Sequence, residues 1–313
     1  MSEQDRTHTA RQAVPASSLL LVVILTLVWG CNWPVLKLGV TGLAPLTFRA
    51  TTLPFAALGL LLIAKFSGES IRVAPALWPR VAVLALFNIT GWNCLIVFGI
   101  QQMPAGRSAI LAYTLPIWSA LFSFWLLHEP LSRRKLVGLL VGMGGMVVLL
   151  GDEIVSVRRA PVAALLIIGA AVSWAIGTVL LRRWALPLPQ NTLTGWMMLL
   201  GWLPLAIAAP FFDPHPLAAL AAMSSVTWFA VLYNIFFAGT IAYWAWFRMA
   251  RTLPVVVSSL SSLPVPVVGV VSGMLVLGER PGASEFVALA LVLASLATVL
   301  VPERREALRE LRD

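Results

Sequence analysis

The chain has 313 residues, of which 59% are hydrophobic and 11% are charged, and its formal net charge is +9. This composition excludes a soluble globular domain and indicates a polytopic membrane protein. The basic residues stand at the ends of apolar segments, so the positive charge indicates membrane topology rather than a nucleic-acid-binding surface.

Ten apolar runs are long enough to be membrane-spanning helices, each of which needs about 20 mostly apolar residues. The runs are predicted near residues 17–38, 45–65, 78–101, 106–127, 135–151, 162–182, 193–212, 225–248, 254–278 and 284–302. The connections between them are short and leave no room for a soluble domain. The fold class is therefore predicted as an all-α integral membrane protein with ten transmembrane helices.

The two polar tails are predicted to lie in the cytoplasm. Residues 1–16 contain no cleavable signal pattern, and residues 303–313 form a charged tail. An even number of spans puts both tails on one side of the membrane. With that side inside, 16 of the 22 Lys and Arg residues are cytoplasmic, as the positive-inside rule requires.

The two halves of the chain resemble each other. Residues 104–150 align without a gap with residues 254–300, and two prolines and a glutamate recur in register. The matched pairs are Pro104 with Pro254, Pro116 with Pro266, and Glu129 with Glu279. The first and sixth runs also align, at an offset of 145, so each half holds five helices. Because five is odd, the halves at 17–151 and 162–302 are predicted to form a 5+5 inverted repeat.

The first run carries polar and aromatic residues on one side of its helix. Trp29, Trp33 and Lys37 share that side at about 100° per residue, and Asn32 lies beside them. An amide or ammonium that faced lipid would cost kilocalories, so this side is expected to face protein or water. Pro34 leaves the carbonyl four residues earlier without its helical donor and predicts a kink. The alternative is that Lys37 extends to the outer interface and the tryptophans are interfacial belt residues.

The third and eighth runs carry amides and aromatic side chains near mid-depth. Asn88 and Trp92 lie in the third run, and Asn234 and Tyr243 lie in the eighth. Asn88 in LFNI and Asn234 in LYNI match as repeat partners. Buried amides need hydrogen-bond partners in a bilayer, and either a substrate or a neighbouring helix would supply them.

Prolines and hydroxyl groups cluster at matching positions of the fourth and ninth runs. The residues are Tyr113 and Pro116 in the fourth run, and Ser258, Ser262, Pro264 and Pro266 in the ninth. Each internal proline frees a carbonyl one turn earlier, which a membrane tolerates where the carbonyl lines a cavity or receives a side-chain donor. The pattern predicts that the fourth and ninth runs line a cavity. The alternative is that the prolines only kink the two helices for packing and that serine hydroxyls bond the freed carbonyls.

The remaining features concern the helices of the scaffold and the absence of catalytic and metal-binding groups. The fifth and tenth runs carry small residues at close-packing spacing, so the chain is expected to be a monomer or a weak dimer. Glu129 and Glu279 are predicted to tie helix ends together. No acidic residue falls in the middle of a run and no Cys/His cluster suggests a metal. We therefore expect no cofactor, no metal and no enzymatic activity.

Several of these stretches resemble one transporter family. They are Trp29-Gly30-Cys31-Asn32-Trp33 followed by Lys37, Arg49 in LTFRA, Tyr113-Thr114-Leu115-Pro116, the Leu127–Leu131 stretch with Glu129, and their echoes in the second half. The pattern is similar to the EamA-type ten-helix exporters of the drug/metabolite transporter superfamily and, among these, to the bacterial aromatic amino acid exporters of the YddG type. The second half departs from it, since Gly177 stands where Asn32 would be and Arg182 where Lys37 would be. The two halves are therefore expected to contribute unequally to the site.

The resemblance implies efflux of amino acids across the bacterial inner membrane through a central cavity that opens alternately to each side. Aromatic side chains would contact an aromatic substrate, and amides would hold its polar end. The predicted substrate-binding residues are Trp29, Asn32, Trp33, Lys37, Asn88, Trp92, Tyr113, Trp174, Asn234, Tyr243, Ser258 and Ser262, and the predicted hinges are Pro34, Pro116, Pro264 and Pro266. Without a buried carboxylate, the substrate is expected to move down its gradient.

Three other functions stay open at this point. Within transport, the solute could be threonine, a cysteine derivative or a cationic drug. An integral-membrane transferase acting on a lipid carrier would need a polar cluster at the interface, for which Asp152-Glu153 is the sole candidate. A pore or a structural membrane protein would show no saturable counterflow.

Overall fold

The computed structural model describes residues 16–128, 133–155, 160–213, 215–246 and 264–300. In these ranges the chain forms helices and turns and contains no β-strand. Seven helical stretches of the described chain are long and apolar enough to cross a membrane, and three further apolar helices are shorter. Three of the seven stretches, Pro75–Gln102, Ala105–Leu127 and Ser225–Trp246, combine several consecutive helical segments. The prediction of an all-α membrane protein is confirmed for this part of the chain. The tails and the predicted residues Glu129, Ser258 and Ser262 lie outside the described residues.

The helices are numbered in chain order. The first half contains α1 (Ala16–Gly42), α2 (Pro45–Phe66), α3 (Trp78–Ala85), α4 (Trp92–Gln102), α5 (Ala105–Ala112), α6 (Leu115–Leu127) and α7 (Arg133–Val155). The second half contains α8 (Ala160–Trp184), α9 (Gln190–Phe212), α10 (Pro216–Ala221), α11 (Ser225–Leu232), α12 (Pro264–Leu277) and α13 (Ala283–Leu300). Two π-helical stretches complete the spans: π1 (Leu86–Gly91) joins α3 to α4, and π2 (Tyr233–Ile241) follows α11.

Prolines stand where several helices begin. Pro45 and Pro116 lie in the first turns of α2 and α6, where the missing backbone N–H has no helical partner to lose. Pro264 and Pro266 are the first and third described residues of α12. Pro34 differs because it lies inside α1. Of the four predicted hinge prolines, Pro116 therefore stands at a helix start and Pro34 lies within a continuous helix, whereas Pro264 and Pro266 lie at the edge of the described residues.

The crossing of α1 and α12 compensates for Pro34. The Gly30 carbonyl, which Pro34 deprives of its helical donor, accepts a hydrogen bond from Ser272 Oγ of α12 at 3.2 Å. Both helices also present glycine at this crossing, and a Cβ on Gly269 would lie 3.0 Å from Cδ1 of Trp33. The two backbones can therefore approach closely, as small residues allow in membrane helices.

The helices pack in pairs that the predicted repeat relates to one another. α2 packs along α9, and α7 packs along α13. α1 packs on α12, whereas α8 packs on α5 and α6. π1 packs on α9, and π2 packs on α2. Exchanging each helix for its predicted counterpart in the other half converts the α1–α12 contact into the α8–α6 contact and the π1–α9 contact into the π2–α2 contact. The same exchange leaves the α2–α9 and α7–α13 pairs unchanged, and the counterpart of α5 lies outside the described residues.

Matching threonines tie α2 and α9 together at both ends. At one end the backbone N–H and hydroxyl of Thr47 donate to Oδ2 of Asp213 at 2.5 and 2.8 Å. At the other end the Thr192 hydroxyl donates to the Ser70 carbonyl at 2.9 Å. Thr47 and Thr192 lie 145 positions apart (192 − 47 = 145), the offset at which the first and sixth runs align. Each of the two helices thus has its first turn held by the segment that follows the other.

Replacing Asp213 with Ala is expected to destabilise the pair formed by α2 and α9. The change leaves the buried N–H and hydroxyl of Thr47 without their acceptor, which costs about 1–3 kcal/mol. The measurement is the midpoint of thermal unfolding of the purified protein in detergent. Asp213→Asn keeps one acceptor oxygen and is expected to lose less stability; equal losses in the two variants would contradict the capping role.

Candidate functional site

Five aromatic rings form a continuous series between helices of the two halves, and we call them the aromatic chain. Ring centroids lie 5.7 Å apart for Trp246 and Trp29, 5.7 Å for Trp29 and Tyr243, 6.2 Å for Tyr243 and Trp174, and 5.1 Å for Trp174 and Trp92. These separations are within the range of favourable aromatic pairs. All five rings are only partly buried. Four of them are predicted site residues, which the structure brings together; Trp246 was not predicted.

Two hydrogen bonds hold the tryptophan of α1 against the second π-helical stretch. Nε1 of Trp29 donates to the Ala238 carbonyl at 3.3 Å. The hydroxyl of Tyr233 donates to the Val28 carbonyl at 2.8 Å. π-Helical turns are uncommon and occur frequently at functional sites. The wider turns of π2 therefore lie beside the aromatic chain.

The first π-helical stretch positions Asn88 against α8. Ser173 Oγ donates to the Phe87 carbonyl at 2.7 Å, and a Cβ on Gly177 would lie 2.5 Å from Cγ of Asn88. Asn88 is 4% exposed, and its Nδ2 has no hydrogen-bond partner among the described residues. Asn32, at the position of α1 that matches Gly177, has a buried Oδ1 that also lacks a described partner. Two predicted amides thus retain unused hydrogen-bonding atoms inside the protein.

Asn234 is bonded to a residue that the sequence analysis did not assign to the site. Its Oδ1 accepts from Nη1 of Arg49 at 3.1 Å, and its Nδ2 donates to the Ala230 carbonyl at 3.1 Å. Arg49 is 7% exposed, lies in α2 and is near Tyr243 of the aromatic chain. The sequence did contain a signal, because a cation inside an apolar run is a functional candidate in a membrane protein.

Lys37 and Trp33 are engaged in helix packing. Nζ of Lys37 donates to the carbonyls of Ile100, Gln101 and Met103 at 2.7, 2.9 and 2.9 Å. All three ammonium donors are therefore used at the C-terminal end of α4, where a cation is favourable. Trp33 is 6% exposed and packs in the core between α1 and α12. In this structure both side chains join helices.

Carboxylates connect α5, α12 and α13 at the same end of the molecule. Glu279 accepts from the backbone N–H groups of Ala105 and Gly106 at 2.5 and 2.9 Å, and it interacts electrostatically with Lys37. These amides belong to the first turn of α5, where an anion is favourable. The side chains of Arg107 and Glu285 form an ion pair between α5 and α13. Charged contacts thus hold three helix ends together.

The remaining predicted residue in the described ranges is Tyr113, at the break between α5 and α6. Its ring packs against the main hydrophobic core and is partly buried. Within the described ranges, no ring contact joins Tyr113 to the aromatic chain. The described residues also contain no group of three or more His, Cys, Asp or Glu that could hold a metal ion. The aromatic chain with its neighbouring amides and Arg49 is therefore the candidate site.

Comparison with known proteins decides the family. The model of the EamA-like transporter family matches the chain twice, over residues 16–151 and over residues 161–301. The chain belongs to this family. As an EamA-like transporter with seven candidate spans in its described part, it is a multi-pass membrane protein.

The similar proteins cover almost the whole EamA-like chain. It is 28% identical to the uncharacterized inner membrane transporter YedA of Escherichia coli strain K12, over 94% of this chain and 95% of that protein. It is 24% identical to a probable amino-acid metabolite efflux pump of the same strain, over 88% of this chain and 92% of that protein. A chain in a solved crystal structure shares the fold, with a TM-score of 0.67, 22% identity, and coverage of 92% of this chain and 97% of that chain.

Replacing Lys37 with Met is expected to lower stability more than it changes substrate affinity. The substitution leaves three carbonyls at the end of α4 without their charged donor, and such hydrogen bonds are worth about 1.5–3 kcal/mol each. Thermal unfolding and counterflow are to be measured on the same preparation. An unchanged unfolding midpoint together with a large loss of affinity would instead assign Lys37 to the substrate, as the sequence pattern predicts.

Proposed function

We propose that this EamA-like protein exports aromatic amino acids across the bacterial inner membrane by alternating access. The aromatic chain is the observation that carries the proposal. Its rings come from α1, α4, α8 and the segment after π2, so they lie where the two halves of the chain meet. Partly exposed rings offer flat apolar contact to an aromatic side chain, and the unused amide atoms of Asn32 and Asn88 offer hydrogen bonds to a polar end.

The proposal includes ten spans arranged as a 5+5 inverted repeat. Three observations support it: two matches of one family model, one in each half, helix contacts that interchange between the halves, and a π-helical stretch in each half. Asn88 and Asn234 lie in these two stretches. Inverted repeats of this kind place the substrate at the interface between the halves.

The proposed movement separates helix ends that are joined in this structure. With both termini in the cytoplasm, the end that contains Lys37, Glu279 and the Arg107–Glu285 pair is the outer end. These contacts join α1 to the end of α4, the segment after α12 to α5, and α5 to α13. Opening of the transporter to the outside would replace these contacts with contacts to water. The break between α5 and α6, with Pro116 in the first turn of α6, and the prolines of α12 would absorb the change in angle.

The second candidate substrate class is the wider group of amino-acid metabolites. The relative named as a probable amino-acid metabolite efflux pump supports it. The rings of the aromatic chain favour the aromatic members of that class, because small aliphatic solutes would leave most of this surface uncovered. A solute panel in counterflow separates the two candidates.

Truncating the aromatic chain is expected to weaken recognition of an aromatic substrate. We expect Trp29→Ala and Trp174→Ala each to raise the half-saturating tryptophan concentration in proteoliposome counterflow about tenfold or more, because both the ring contact and its buried area are lost. Trp125→Ala is the matched control, because Trp125 is 67% exposed in α6 and lies outside the aromatic chain. Equal effects of all three substitutions would contradict the assignment.

Transport is expected to proceed without an imposed pH gradient. The acidic residues of the chain lie outside the middle of its apolar runs, so the proposal includes no intramembrane proton-coupling carboxylate. The measurement is tryptophan counterflow in liposomes at equal internal and external pH. A rate that stays at background until a pH gradient is applied would refute this part of the proposal.

A further inference from the structure

Arg49 is a buried cation without a carboxylate partner among the described residues. It lies just after the first turn of α2, is 7% exposed, and has Asn234 Oδ1 as its hydrogen-bond acceptor. Its Nε is buried without a partner. Asp213, the carboxylate at this end of α2, accepts from Thr47 instead. A guanidinium has five N–H donors, and the Nε donor of Arg49 is unused among the described residues.

An uncompensated buried charge is costly, and the surroundings of Arg49 do not remove the cost. The Asn234 amide is neutral, and the Phe48 ring, with its centroid 5.5 Å from the guanidinium carbon, supplies a cation–π contact that is weak compared with an ion pair. The first turns of a helix also carry positive potential, which does not stabilise a cation. Because arginine stays protonated, it cannot avoid the cost by losing its charge. The described residues supply no anion for Arg49, and an anion is the partner that would offset its charge.

Two observations place Arg49 beside the candidate site. Its Nη1 donates to Asn234, which lies in π2, and its side chain lies near Tyr243, which is in ring contact with Trp29 and Trp174. The side chain therefore extends inward from α2 instead of reaching the membrane surface. An arginine and an aromatic surface lie next to each other within the protein.

We propose that Arg49 binds the carboxylate of the transported solute while the aromatic chain holds its ring. Arginine presents paired donors that match the two oxygens of a carboxylate, and its Nε is available for such a pair. The substrate class is thus an aromatic acid, which includes aromatic amino acids and aromatic acids without an amino group. Aromatic amines and cationic drugs are excluded by repulsion from the guanidinium. This inference rests on the proposed function and adds the group that the substrate must carry.

The first experiment varies the ring and the carboxylate independently in the wild-type protein. Thermal unfolding of purified full-length protein in detergent is measured with phenylalanine, 3-phenylpropionate, phenethylamine, 4-methylpentanoate and isopentylamine. We expect the first two ligands to raise the unfolding midpoint and both amines to have no effect.

Stabilisation by phenethylamine equal to that by 3-phenylpropionate would overturn the role of Arg49 while leaving the aromatic substrate in place. Equal stabilisation by 4-methylpentanoate would overturn the aromatic substrate and leave the carboxylate site in place. No stabilisation by any ligand would overturn both.

The second experiment tests Arg49 itself by counterflow in proteoliposomes. Arg49→Gln and Arg49→Lys are expected to raise the half-saturating concentration of phenylalanine about tenfold to hundredfold, with a smaller effect for Lys, which keeps the charge and loses the paired donors. Arg80→Gln is the matched control, because Arg80 is exposed. If Arg49→Gln unfolds, the ligand series on wild-type protein still decides the proposal. An Arg49→Gln protein that folds and keeps wild-type affinity would overturn it.

A third measurement separates a solute from a lipid as the source of the anion. The ligand series is repeated after adding phosphatidylglycerol, whose phosphate would compete for a guanidinium that holds lipid. We expect the stabilisation by 3-phenylpropionate to be unchanged. Its loss with phosphatidylglycerol but not with phosphatidylcholine would assign Arg49 to a lipid headgroup and overturn the solute site.

Discussion

A polar group released inside a bilayer has no water to bond, and the whole structure depends on other helices to supply the missing partner. Ser272 of α12 donates to the carbonyl that Pro34 leaves free in α1. Ser173 of α8 donates to a carbonyl of π1, and Lys37 of α1 completes the end of α4. Each compensation joins a different pair of helices. The irregularities of single helices are therefore also the contacts that fix how the helices pack.

At the candidate site, neighbouring helices do not supply all of these partners. Asn32, Asn88 and Arg49 all retain buried atoms without described partners, and all three belong to helices that meet around the aromatic chain. Three other buried polar atoms of the described chain lack a partner, namely Glu69 Oε2, Thr194 Oγ1 and Ser295 Oγ, and none of them is an amide or a cation. A binding site needs donors and acceptors that are not already bonded within the protein. A substrate can then form hydrogen bonds without breaking any inside the protein, so the full free energy of those bonds contributes to binding. Unsatisfied polarity beside an apolar surface is thus what a site for an amphipathic solute requires.

The sequence predicted the helical membrane architecture because apolar runs of about 20 residues leave few alternatives in a bilayer. It also predicted four rings of the aromatic chain, since aromatic residues among apolar neighbours stand out by type. It did not predict the two π-helical stretches, because one extra residue per turn leaves no mark on the hydrophobic pattern. The bond between Arg49 and Asn234 joins positions 185 residues apart, which local periodicity does not reveal. Trp29 and Trp33 share a helix side in the sequence, yet one turn separates the aromatic chain from the α12 interface.

The threonine contacts at both ends of α2 and α9 constrain how the transporter can move. Two helices that are fastened at one end can splay, whereas two that are fastened at both ends can only travel together. Arg49 sits on this pair, while Trp29 and Trp174 sit on α1 and α8, outside it. If α2 and α9 move as one unit with Arg49, and α1 and α8 move relative to them with the rings, the carboxylate of the solute would stay bound to Arg49. The aromatic side chains around the ring of the solute would change during the movement. Such a division would keep one end of the solute stationary throughout the cycle.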